Sequence, residues 1–153
     1  MTTNPIPEGY PRVSPYLVAK DADKAIDFCK DLFGAVEKMR LVDPNGKVCH
    51  AELEINDSLI MLADEFPEMG FAGPEKFGGS PISMNIYVED CDKVFSRALE
   101  LGSEEVRPHT TQFYGDRSGM IKDPFGHTWN ISTHVEEVTP EEVEKRFKEF
   151  MNK

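Results

Sequence analysis

Tyr16-Leu-Val-Ala-Lys-Asp21-Ala-Asp23-Lys24-Ala25 is echoed 69 positions later by Asn85-Ile-Tyr-Val-Glu-Asp90-Cys-Asp92-Lys93-Val94. Each stretch begins as a short apolar or alternating strand, reaches an Asp able to cap a helix, and then changes to helical spacing. In the first copy Ala25, Phe28, Cys29, Leu32 and Phe33 form one stripe, and Gly34 supplies the stop. In the second, Val94, Ala98 and Leu101 repeat that stripe before Gly102. The chain reads as one structural unit made twice.

Outward from each helix lie segments with strand character: 36–42, 47–55 and 58–63 after the first, then 105–107, 113–122 and 127–133 after the second. Asn56-Asp57 predicts a tight hairpin, and Asp43-Pro-Asn-Gly46 and Asp123-Pro-Phe-Gly126 predict turns. Thr139-Pro140-Glu141-Glu142 opens a last helix carrying Val143, Phe147, Phe150 and Met151 at helical spacing. The expected fold class is α+β: two tandem βαβββ modules forming a curved mixed sheet around a cavity, plus a C-terminal helix. Module one spans about 12–64, module two about 82–135 and the helix about 139–152, within one domain. The 65–81 connection either covers a pocket or packs its Phe and Met side chains on the core.

At 153 residues with 39% hydrophobic and 29% charged side chains, the composition is that of a globular chain. A net charge of -11 opposes binding to nucleic acid or an anionic membrane. No apolar run is long enough to span a bilayer and no signal-like leader opens the chain, so a cytoplasmic location is expected. Cys29, Cys49 and Cys91 lack metal-ligand spacing and are expected to be buried thiols. HExxH, GxSxG and phosphate-cradling glycine motifs are absent from the sequence.

Period-two alternation assigns Leu17, Ile60, Leu62, Met84, Ile86, Val88, Trp129 and Ile131 to faces beneath the helices. The opposite faces then carry Ser14, Tyr16, Ser83, Asn85, Tyr87, Asn130 and Ser132, with His50, Glu52 and Glu54 from the strand whose other face is Cys49, Ala51, Leu53 and Ile55. A polar and aromatic face of this kind suits a site that orients a small molecule with a few hydrogen bonds.

Three stretches carry a resemblance: Asp21 to Gly34, Phe113-Tyr-Gly-Asp-Arg-Ser-Gly119, and Asp123-Pro-Phe-Gly-His-Thr-Trp129, together with His50-Ala-Glu-Leu53. Over roughly 13–137 the chain resembles the PhnB-like branch of the glyoxalase/bleomycin-resistance (vicinal oxygen chelate) superfamily. The resemblance implies paired βαβββ modules around a cavity, commonly in a homodimer. Metal-dependent members take one ligand from the first and one from the last strand of each module. Those positions fall on Ser14, Met61, Ser83 and Asn130, which lack the imidazole, carboxylate or thiolate donors that a divalent transition metal needs. No cofactor is therefore expected, apart from a displaced divalent site in which His50 and Glu52 converge from i and i+2.

Three functions follow as expectations. A metal-free binder would hold a cationic or aromatic guest with Tyr16, Tyr87, Phe113 and Tyr114, and with Glu52 and Asp116 as counter-charges. An acid–base enzyme of the lyase, isomerase or dioxygenase-related kind would use His50 as base, Arg117 as anchor for a carboxylate or enolate, and Asp116 or Glu52 to fix the imidazole tautomer. An interaction module would have its pocket face filled by the 64–81 connection.

Overall fold

The computed structural model describes residues 2–153. The chain divides into two compact units, the first ending at Gly79 and the second beginning at Ser80. That boundary falls inside the connection between the modules.

In the first unit, β1 (Tyr16–Ala19) leads into α1 (Ala22–Phe33), followed by β2 (Val36–Val42), β3 (Val48–Ile55) and β4 (Ser58–Asp64). The sheet order is β1-β4-β3-β2, with β1 parallel to β4 and the other pairs antiparallel. Asp21 caps α1 by accepting the Lys24 N–H at 3.2 Å, and Gly34 ends it in the left-handed region at φ 66°. The Ala35 N–H then returns to the Cys29 carbonyl at 3.3 Å, closing a Schellman-type end. One face of α1 buries Ala25, Ile26, Phe28, Cys29 and Leu32, and the sheet contributes Ala51, Leu53, Ile60 and Leu62 to the same core. The β3–β4 hairpin turns at Asn56, whose φ of 51° is what a two-residue turn of this hand requires.

The second unit repeats the order: β5 (Ser83–Tyr87), α2 (Cys91–Glu100), β6 (Glu104–Thr111), β7 (Asp116–Lys122) and β8 (Thr128–His134), with sheet order β5-β8-β7-β6. Asp90 caps α2 through the Lys93 N–H, as Asp21 does for α1. Cys91, Phe95 and Ala98 pack with Ile121, Trp129 and Ile131. α3 (Pro140–Met151) follows, capped by Thr139 and held by Arg146, which bridges Glu136, Glu142 and the Phe113 carbonyl. The fold is thus α+β, built from two βαβββ units, each with its own four-stranded mixed sheet, and a C-terminal helix.

Four sequence expectations need correction. Cys49 is exposed rather than buried, because the β2–β3 register jumps from Leu41↔His50 to Val42↔Val48. The bulge at Cys49 shifts the alternation and sends Val48 inward instead. Leu17, Met84, Ile86 and Val88 are only half-buried, since β1 and β5 are edge strands of their sheets. Phe113 and Tyr114 lie in a turn before β7 rather than on the strand, and β6 runs on through Pro108 to Thr111. Proline is tolerated there because β6 is an edge strand with an irregular register between Arg107 and Thr110. In the connection, Phe66 and Phe71 bridge each other across the first of two short 3-10 turns, Pro67–Met69 and Pro74–Phe77, while Met69 and Phe77 are exposed and do not pack on the core.

Candidate functional site

The helix covers one face of each sheet; the opposite, open face carries polar and aromatic side chains, of which Tyr16, Asn85 and Tyr87 are exposed while Glu52, Asp116, Ser118 and Ser132 are buried. In the first unit the cross-strand pairs Tyr16↔Met61, Met61↔Glu52 and Glu52↔Met39 place Tyr16, Met61, Glu52 and Met39 in one row across the four strands. His50 lies two residues before Glu52 on the same face.

These side chains join in a hydrogen-bonded chain. The Tyr16 hydroxyl is 2.9 Å from His50 Nδ1, His50 Nε2 is 3.1 Å from Glu52 Oε1, and the Tyr10 hydroxyl donates to Glu52 Oε2 at 2.8 Å. His50, followed by Tyr10, holds the Glu52 carboxyl below its usual range despite burial, so it is ionised. The imidazole then carries its proton on Nε2, facing Glu52, and accepts the Tyr16 hydroxyl at Nδ1. Burial, with the charges of Cys49 and Glu52 nearby, raises the Tyr16 phenol and keeps it a proton donor. Both Glu52 oxygens and both His50 nitrogens are engaged, so neither residue offers an idle donor set for a displaced metal.

In the second unit the equivalent row is Asn85, Asn130, Met120 and Arg107. Arg107 Nη2 reaches past Met120 and donates to Asn130 Oδ1 at 2.6 Å, and Asn130 Nδ2 donates to Asn85 Oδ1 at 2.5 Å and to Ser132 Oγ at 3.0 Å. Farther along this face Asp116 accepts from the Tyr87 hydroxyl at 2.7 Å and pairs with His134 Nδ1 at 2.8 Å. The Asp116 carboxylate, aided by Glu137, raises the His134 imidazole above its usual value, so the charged form is favoured.

The sequence candidates therefore distribute as follows. Tyr16, His50, Glu52 and Met61 come together on the first open face; Asn85 and Asn130 come together on the second, where Ser83 pairs with Thr128 at the start of β5 and Tyr87 with Ser132 at its end. Ser14 precedes β1. Asp116 fixes the His134 ring, whereas Glu52 fixes the His50 tautomer. Arg117 turns to the helix-covered side, where its Nε meets both Asp92 oxygens at 2.9 and 3.2 Å. Phe113 is stacked against Phe147 and Phe150 of α3 and edge-on to Tyr114. Tyr10, Arg107 and His134 were not anticipated. Only His134 had a visible signal, as a histidine at the end of a predicted strand.

Among the described residues there is no group of three or more His, Cys, Asp or Glu able to hold a metal ion, and no helix long and apolar enough to cross a membrane. The four positions that hold the metal in metal-dependent relatives of this fold do not fit one here. They offer two hydroxyls, a thioether and an amide, and the amide oxygen of Asn130 is already committed to a guanidinium. A cation at that oxygen would face the positive charge of Arg107.

Two βαβββ units, each with its own mixed sheet and a helix on one face of it, define the architecture, and the comparisons supply the family. Residues 11–131 match the model of the Glyoxalase/Bleomycin resistance protein/Dioxygenase superfamily. The chain belongs to that superfamily. An uncharacterised protein of Mycobacterium bovis is 42% identical over 137 residues, covering 88% of this chain and 90% of the relative. A Pseudomonas aeruginosa protein, PA1353, superposes with a TM-score of 0.69 at 21% identity over 82% of this chain and 99% of its own. A PhnB protein from Bacillus cereus gives 0.62 at 20% identity over 80% and 99%. At these identities the structural likenesses establish the fold alone.

Proposed function

We propose that this protein binds a small molecule without a metal, on the open sheet faces, and sequesters or senses it. The observation that carries the reading is the Arg107–Asn130 hydrogen bond, which occupies a family ligand position with a guanidinium donor. The first face adds aromatic and apolar surface: Tyr16 is 45% exposed and Met39 39% exposed, on either side of the buried Glu52. A homodimer belongs to the same reading, supported by Phe147, Phe150 and Met151 of α3, which stand exposed.

The test is elemental analysis of the purified, untagged protein, with thermal unfolding before and after chelator and across a panel of small aromatic acids, amides and amines. The expected result is no stoichiometric transition metal, no chelator effect, and a raised Tm with some members of the panel. One metal per chain with destabilisation by chelator would overturn the metal-free reading.

A second reading, general acid–base catalysis, is favoured by the Tyr16–His50–Glu52 chain, in which a buried carboxylate polarises an imidazole against a solvent-facing phenol. It predicts exchange of an acidic carbon-bound proton in a panel of 2-oxo acids and 2-hydroxyketones in D2O, lost in His50→Ala with the fold retained. Absence of exchange across the panel would count against it.

A further inference from the structure

The open face of the β5-β8-β7-β6 sheet has a feature that a merely solvated surface does not explain. Arg107 is half-buried, and among the described residues its one side-chain hydrogen bond is to a neutral amide, Asn130. Among the described residues no carboxylate lies within ion-pair distance of it, whereas Arg40, Arg97, Arg117 and Arg146 each have an acidic partner. A guanidinium has five N–H donors and is always charged. The donors that Asn130 does not take are not buried away from solvent, so they are accessible to an acceptor brought by a ligand, although the chain, with 28 acidic residues, had ample means to pair them.

The neighbours of Arg107 are arranged as a receptor for an anion. Asn130 holds the guanidinium at the centre of the row; Asn85 is exposed, and with its Oδ1 taken by Asn130 it keeps its Nδ2 donors for another acceptor. Met120 lies between Arg107 and Asn130 in the row, and Tyr87, two residues beyond Asn85 on the same face, is 60% exposed. The carboxylates that a cationic guest would need are already used. Asp116 has one oxygen on Tyr87 and the other on His134, and Glu52 in the first unit has both oxygens engaged.

We infer that Arg107, with Asn85 and Asn130, forms a carboxylate-recognition site, and that the ligand of this protein is a small organic carboxylate with an apolar or aromatic body. The guanidinium offers a bidentate fork to the carboxylate, Asn85 Nδ2 offers a further donor, and Met120 and Tyr87 flank the body of the ligand. The positive charge that metal-dependent members of the superfamily obtain from an ion comes here from Arg107. This inference rests on the small-molecule-binding reading and names the ligand class.

The experiment is titration of the full chain with benzoate, benzamide and benzylammonium, followed by amide and arginine Nε–H chemical shifts. Benzoate is expected to shift the Arg107 Nε–H, Asn85 and Asn130 signals, with benzamide and benzylammonium binding much more weakly. Arg107→Gln should weaken benzoate by about tenfold or more, Arg107→Lys should retain part of the affinity, and Asn130→Asp should suppress binding by pairing the guanidinium internally. Equal benzoate affinity in Arg107→Gln would overturn the assignment. Binding of benzylammonium in preference to benzoate would overturn the ligand class while leaving small-molecule binding intact. No binding of benzoate at millimolar concentration would overturn the carboxylate site; the broader reading falls only if the aromatic panel also leaves the Tm unchanged.

Discussion

Asp64 and Thr133 occupy equivalent places in the two modules, and each ties the last strand of its sheet to the first residue of its helix. Asp64 Oδ1 accepts the Ala22 N–H at 2.7 Å, and Thr133 Oγ1 accepts the Cys91 N–H at 2.8 Å. Asp64 also accepts the Val48 N–H through its other oxygen at 2.7 Å, whereas Thr133 spends its hydroxyl proton on the Val88 carbonyl. Asp64→Ala leaves two N–H groups without an acceptor, and Thr133→Ala leaves one. With each orphaned donor costing about 1–3 kcal/mol, Asp64→Ala is expected to lose about 2–4 kcal/mol and Thr133→Ala about 1–2 kcal/mol. Urea unfolding of both variants checks the order; an equal or smaller loss for Asp64→Ala would contradict it.

This pair also marks what the sequence made legible. The Asp-x-Asp caps, the stripes of α1 and α2 and the turn at Asn56 are local signals, and they survive in the structure because helix and hairpin ends are decided by neighbouring residues. What alternation could not deliver was the side of the sheet on which residues near a bulge emerge. The step from Glu105↔Ile121 to Arg107↔Met120 leaves Val106 unmatched, and Arg107 thereby moves to the open face while Glu105 stays opposite a core residue. The β2 strand has the same irregularity between Glu37 and Met39. A bulge depends on partner strands far along the chain, so neither Arg107 nor the outward turn of Cys49 had a signature in its own neighbourhood. Tyr10 was illegible for a related reason, because its contact with Glu52 spans 42 positions and arises from a proline-rich segment without periodicity.

Glu52 should leave a mark on acid stability. Its folded-state pKa is depressed, first by the hydrogen bond from His50 and then by that from Tyr10. A depressed carboxyl stabilises the fold above its unfolded value of about 4.3, and that stabilisation is lost as pH falls through the lower folded value. The advantage of the native protein over Glu52→Gln is therefore expected to be full at pH 6 and to shrink as pH falls toward 3. Denaturant midpoints across that range provide the check, and a constant difference would mean that the carboxylate charge is not what the cluster uses.

His134 predicts the opposite slope. Its folded-state pKa is raised, chiefly by the Asp116 hydrogen bond. The imidazolium pair contributes fully below the unfolded value of about 6.5 and is lost as pH rises through the higher folded value. A histidine-selective NMR titration should give a midpoint above 6.5 for His134 that falls in Asp116→Asn. A midpoint at or below about 6.5 in the native protein would remove the pair from the account of this face.

Ser118 and Gly119 are neighbours on β7, yet substitution to alanine should act in opposite directions. Ser118 is fully buried on the open-face side of the sheet, and among the described residues its hydroxyl has no hydrogen-bond partner. Removing that oxygen relieves a desolvated polar group, so Ser118→Ala is expected to be neutral or to stabilise by roughly 1 kcal/mol. Gly119 faces α2, where an added Cβ would lie 2.7 Å from Phe95 Cε2 and 2.8 Å from the His109 backbone. Phe95 is itself buried and the His109 contact is backbone, so neither yields cheaply, and Gly119→Ala is expected to cost about 1–3 kcal/mol. Thermal and urea unfolding of the two variants side by side read both signs. If Gly119→Ala matched the native stability, the close seating of α2 on β7 would have to be given up. Destabilisation by Ser118→Ala would show that its hydroxyl has a partner in solution, with a bound water as the first group to look for.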